Sequence, residues 1–144
     1  MKERKNILLL VGAIFSLFPL YTVYSSILDY LIDLGTAMPT GKIMTEIGSV
    51  VINLLPVIIA IIQIICSERN RNKWIVPAVG IAISGYFLIS RVVTLLPSLQ
   101  VYITLNLLSS AKFIINMIMS WGFGIIGHIV LLIGHIKSLP KRNA

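Results

Sequence analysis

"WGFGIIGHIVLLIGHI", Trp121 to Ile136, packs four glycines and both of the chain's histidines into one apolar run. Such a run reads as a membrane helix, yet glycine is a poor helix former and histidine is costly in hydrocarbon. Wound as an α-helix at about 100° per residue, the stretch resolves into two faces. Asn116, Met117, Ser120, Gly124, Gly127, His128, Leu131, Gly134 and His135 fall on one arc. Bulky residues such as Trp121, Phe123, Ile125, Ile129 and Ile133 fill the rest, with Gly122 the one misfit. Ser120 and Gly124 make a small-xxx-small step, and small side chains let two helices approach until van der Waals contact holds them in lipid. Asn116, Ser120, Gly124, Gly127, His128, Gly134 and His135 are therefore expected to form a helix-packing or oligomer face. Spacing alone leaves open whether the facing helix belongs to the same chain or to another.

Three further runs resemble this one. The chain has 144 residues, of which 57% are hydrophobic and 12% charged. A soluble domain of this size needs more charge on its surface. About 20 residues at 1.5 Å rise cross the roughly 30 Å hydrocarbon layer. Ile7–Tyr24, Ile43–Cys66, Trp74–Leu96 and Phe113–Ile136 qualify. The expected fold is thus an all-α integral membrane protein, residues 1–144 forming a single four-transmembrane-helix bundle. The apolar run after Lys5 continues to Tyr24 without a small-x-small cleavage site, so a retained first helix is expected rather than a secretory signal. Cys66 is a single cysteine, read as a packing residue, with lipidation the alternative.

Lysine and arginine on short loops set orientation. Lys2, Arg4 and Lys5, then Arg69, Arg71 and Lys73, then Lys137, Lys141 and Arg142 all fall on one side of four spans. Only Glu3 and Glu68 oppose these nine, leaving a formal +7 there. Lys42, Arg91 and Lys112 on the other side are balanced by Asp29, Asp33 and Glu46. Both termini are expected in the cytoplasm of a bacterial inner membrane. A basic face attracts anionic headgroups or an acidic cytoplasmic partner, though the same charges can be topology signals alone. Direct nucleic-acid binding is not expected, because the basic residues come in threes on short tethers.

Between the spans, Ser25–Leu34 can extend the first helix, Gly35 suits a helix stop, and Pro39 with Gly41 marks a turn. Pro19 and Pro56 should kink their helices, whereas Pro77 suits a first turn. "LQVYITLNL", Leu99 to Leu107, alternates apolar and polar residues and predicts a short outer β-strand near 99–107, a helix lying flat at the headgroups being the alternative.

Arg91 is the sharpest intramembrane charge, about 25 Å along its helix from Trp74. A central charge costs about 3 kcal/mol on insertion scales, so an ion pair with Glu46 is expected, with snorkelling as the competitor. Asn53, Gln63, Ser84, Gly85 and Ser90 read as interhelical glue. The two histidines allow a proton or ion path or haem ligation, but the bland reading is a neutral imidazole hydrogen-bonded across a helix joint.

No catalytic, metal-ligating or cofactor motif emerges, and no enzyme is expected. Ser120 and His128, eight residues apart on one helix, would not meet. A non-enzymatic scaffold or sensor that homo-oligomerises and docks a cytoplasmic partner is the expected function. The alternatives are a holin-like pore or ion-leak effector, and a bacteriocin immunity protein. The small size, four spans, inward termini and short basic ends resemble, across the whole chain, the membrane subunit of the two-component Kiwa anti-phage system. That resemblance implies a homo-oligomer that responds to phage attack and docks a cytoplasmic DNA-binding effector. Claudin-like proteins share the topology, but their outer tryptophan and paired cysteines are missing here.

Overall fold

The computed structural model describes residues 2–21, 24, 40–69, 74–104 and 111–140. All described elements are helical: α1 (Lys2–Leu17), α2 (Thr40–Arg69), α3 (Ile75–Thr104), α4 (Ala111–Asn116) and α5 (Gly124–Ser138). A π-helical segment, Met117–Phe123, joins α4 to α5 in one continuous rod. Among the described residues, three helices are long and apolar enough to cross a membrane, at Met44–Cys66, Ile75–Val101 and Phe113–Ser138. α1 is shorter, at 16 residues. It ends in a turn at Phe18–Pro19, where Tyr21 N–H donates to the Phe18 carbonyl at 3.0 Å. Proline has no N–H to continue the ladder, so the break falls where the sequence placed a kink.

Burial is inverted relative to a water-soluble protein. Ile14, Ile58, Ile89, Leu96 and Ile133 point outward, while Ser16, Gln63, Ser84, His128 and His135 are buried. An outer solvent of hydrocarbon favours this arrangement, because apolar side chains there cost nothing and polar ones must find partners inside. The apolar centre is small: Leu9, Ala13, Ala60 and Leu131, with Val57 and Ile64 against them.

α1 and the last rod run antiparallel and are nearly in backbone contact. A Cβ at Gly12 would lie 2.8 Å from Leu131 Cγ, and one at Gly127 would lie 2.6 Å from the Ser16 amide nitrogen. Farther along, one at Gly134 would lie 2.9 Å from Leu9 Cδ2. Only hydrogen fits at these crossings. Phe18 closes the end where α1 stops, stacked on Phe123 with centroids 4.6 Å apart, and Phe15 lies 5.5 Å from Phe123. α2 and α3 complete the ring, so the beginnings of α1 and α3 lie with the ends of α2 and α5. Arg4, Lys5 and Lys137 therefore occupy one end of the bundle. The side chains of Lys2, Arg69 and Asn116, and all of Asp29, Asp33, Arg71, Lys73, Lys141 and Arg142, lie outside the described residues.

The structure corrects the sequence reading in several places. Leu99–Thr104 is not a strand but the last turns of α3; residues 105–107 lie outside the described set. Thr104 within the stretch, and Ser98 just before it, bond back along the helix. Ser98 Oγ donates to the Thr94 carbonyl at 2.8 Å, and Thr104 Oγ1 to the Gln100 carbonyl at 2.8 Å. With no strand alongside among the described residues, a helix satisfies the backbone locally. Gly41 belongs to the first turn of α2 rather than to a turn before it; Ser25–Pro39 lies outside the described residues. α2 is helical straight through Pro56, and Pro77 lies in the first turn of α3.

The π segment also alters the expected wheel. Its i→i+5 geometry advances each residue by less than an α-helix does. Met117 consequently turns outward, and Phe123 swings onto the aromatic end of α1. The face from Ser120 to His135 is covered by α1 and α3 of its own chain. Within the chain, α1 fills the space that Gly127 and Gly134 leave, and α3 receives the two histidines.

Candidate functional site

Each helix turns a stripe with three- and four-residue spacing toward the bundle axis. On α3 it is Pro77, Gly80, Ser84, Phe87 and Arg91; on α2 it is Asn53, Pro56, Ala60 and Gln63. Polar groups recur along these stripes and along the last rod, and they form two unlike halves.

The half of the bundle away from Arg4, Lys5 and Lys137 is a closed node around Arg91. Its Nη1 donates to Ser120 Oγ at 2.9 Å and its Nη2 to Asn53 Oδ1 at 2.7 Å. Asn53 Nδ2 in turn donates to the Ser49 carbonyl at 2.7 Å, which fixes the amide with its oxygen toward the guanidinium. Three helices are thus tied by one side chain. Glu46 is not its partner, and no Glu46–Arg91 ion pair is present among the described residues. Glu46 stands seven residues, about 10 Å of helix, beyond Asn53. The expected carboxylate is replaced by two neutral oxygens, which compensate the partly buried cation with hydrogen bonds rather than with opposite charge. Ser120 presents its oxygen from the π segment, so the irregular winding sits where the charge is held.

The half nearer Arg4, Lys5 and Lys137 is open-valenced. His128 Nδ1 lies 2.6 Å from the Gly124 carbonyl oxygen. A carbonyl oxygen only accepts, so Nδ1 carries the hydrogen and Nε2 of the neutral ring is a bare acceptor. The ring stacks on Phe87, with centroids 5.4 Å apart and an interplanar angle of 14°. His135 presses against α3, where Gly80 makes room: any Cβ there would collide with the imidazole. Gln63 is level with Gly80, ten residues from Asn53 as Gly80 is eleven from Arg91 on the antiparallel neighbour. Ser84 lies on α3 between the levels of the two histidines. Gln63 Oε1, Ser84 Oγ, His128 Nε2 and both ring nitrogens of His135 are buried without a hydrogen-bond partner among the described residues.

Gln63 and Ser84 were read from sequence as glue, together with Asn53, Gly85 and Ser90. The structure separates them. Asn53 holds Arg91, Gln63 and Ser84 line the interior, and Ser90 points outward. The signal for Gln63 was its place in the Asn53–Pro56–Ala60–Gln63 stripe. Ser120 and His128 do not act on each other: the hydroxyl is held by Arg91, and His128 by Gly124 and Phe87. No group of three or more His, Cys, Asp or Glu side chains converges among the described residues. Compared with family models, with curated proteins and with solved structures, the chain matches none.

Proposed function

We propose that the chain is a non-enzymatic, four-span bundle of a bacterial inner membrane with both ends in the cytoplasm. It serves as a membrane scaffold or sensor and holds a cytoplasmic protein on its basic end. One observation carries the reading: Ser16, Gln63, Ser84, His128 and His135 are buried inside the chain, as are Gly12, Gly80, Gly124, Gly127 and Gly134. The outward surface is mostly apolar; Thr94 and Thr104, among its exposed polar residues, bond back to their own helix, and Arg4, Lys5 and Lys137 lie together at one end. Lipid satisfies the first surface, and anionic headgroups or an acidic protein surface satisfy the second.

A pore lined by the polar stripe of the last rod is the competing reading. It requires that stripe to face water, whereas Gly127 and Gly134 are filled by α1. Self-association, in this proposal, runs through the outward apolar faces. The resemblance to the Kiwa membrane subunit supports an anti-phage role with a DNA-binding effector as partner. A bacteriocin immunity protein would act instead through its outer connections.

Purification of the tagged full chain in mild detergent, with the intact mass of the complex measured, tests the proposal. A co-purifying soluble protein that is lost when Arg4, Lys5 and Lys137 are changed to glutamate supports it. A pure homo-oligomer that makes liposomes leak ions overturns it in favour of the pore.

A further inference from the structure

Five polar atoms without partners among the described residues, set in three successive layers of one bundle, require a physical explanation. An unsatisfied buried polar atom is destabilising, and hydrocarbon outside the bundle offers no relief. Scattered orphans would be packing errors. These are aligned: Gln63 and His135 at the basic end, Ser84 one layer outward, and His128 Nε2 beyond it. His128 and His135 are seven residues apart, about 10 Å of helix, with the Ser84 level between them. Imidazole accepts a proton on one nitrogen and releases one from the other, and a hydroxyl does both on one oxygen.

We infer that the inner half of the bundle is a dead-end proton relay. It runs from the basic end through His135 and Ser84, with bridging water, to Nε2 of His128, and is closed by Arg91. A proton taken up at one nitrogen of His135 releases the proton of the other toward Ser84, which passes its own hydrogen to His128 Nε2. His128 then holds two N–H bonds and a positive charge. Its Nδ1 hydrogen is held by the Gly124 carbonyl, beside which the Arg91 charge stands and bars release outward, so the proton returns by the way it came. The charged and titratable groups around this line are few. Arg91, one turn outward on α3, repels a proton moving farther. The described interior of α1 (Leu9, Gly12, Ala13, Ser16) and of α2 (Asn53, Pro56, Ala60, Gln63) contributes no titratable side chain. The intact chain therefore admits protons to the mid-membrane without leaking them. This inference is independent of whether a soluble partner docks.

The test has two arms. In the first, the full chain with 15N-histidine is placed in lipid bilayers and magnetisation transfer from water to the imidazole nitrogens is measured by NMR. Both rings should receive it, and Ser84→Ala should cut transfer to His128 by roughly tenfold while sparing His135, as expected for one lost link of about 1.4 kcal/mol. Silent rings, or an unaltered His128 in Ser84→Ala, overturn the relay. In the second arm, proton flux is followed in vesicles loaded with a pH dye. Wild type should match protein-free vesicles, and Arg91→Gln should raise proton flux roughly tenfold with potassium retained. A folded Arg91→Gln that stays tight, or one that also loses potassium, overturns the closure by Arg91. Should that variant not fold, the first arm decides alone.

Discussion

Gly127 of the last rod sits against Ser16 of α1 so closely that a side chain there would lie 2.6 Å from the Ser16 amide nitrogen. This crossing fixes which rod is covered by which. It predicts a sharp contrast among glycines. Gly127→Ala should lower the stability of the detergent-solubilised chain by about 1–3 kcal/mol, the usual cost of overpacking. Gly85→Ala, where a Cβ meets nothing within 4 Å, should instead raise it by roughly 0.5–1 kcal/mol through helix propensity. Thermal melting followed by gel filtration checks both; equal effects would refute the α1 contact.

The Arg91 node makes a second prediction, and it opposes the ion pair expected from sequence. Asn53→Leu and Ser120→Ala each remove a hydrogen bond to a charged group, worth about 1.5–3 kcal/mol. Glu46→Gln should stay within about 0.5 kcal/mol of wild type. A double-mutant cycle between Asn53 and Arg91 should show coupling, and one between Glu46 and Arg91 should show none.

The π segment gives a third. Gly122 is exposed, so deleting it removes no packed side chain and lets the rod revert to α-helix. Ser120 then rotates away from Arg91. The deletion should cost what Ser120→Ala costs, about 1.5–3 kcal/mol, and combining the two should add nothing further. Additive losses in melting experiments would show that the π winding serves some other contact.

Orientation is checked by labelling. In a Cys66→Ser background, Arg4→Cys and Lys137→Cys should react with an impermeant thiol reagent only after cells are opened. Thr104→Cys should react in intact cells, since α3 ends there at the opposite end of the bundle. Labelling of either terminal site in intact cells would reverse the proposed topology.

Composition and periodicity alone made the chain helical and apolar enough for a membrane, and marked the glycine-histidine stripe as a surface that meets another helix. Those properties are local: they depend on residue type and on spacing along one rod, which a sequence displays in full. Pro19 likewise ends a helix by its own covalent geometry. Which rod covers which stripe is a different kind of fact. Ser16 and Gly127 are 111 positions apart in the chain, and nothing in either neighbourhood names the other. The same holds for Arg91, whose partners were settled by the height at which three helices cross, so a nearby asparagine and serine prevailed over a more distant carboxylate. The π turn, too, was hidden, because one unwound turn leaves no mark in composition. Only the assembled bundle, by enclosing Gln63 and Ser84 beside the histidines, turned residues that look like ordinary glue into an aligned row of unanswered donors and acceptors.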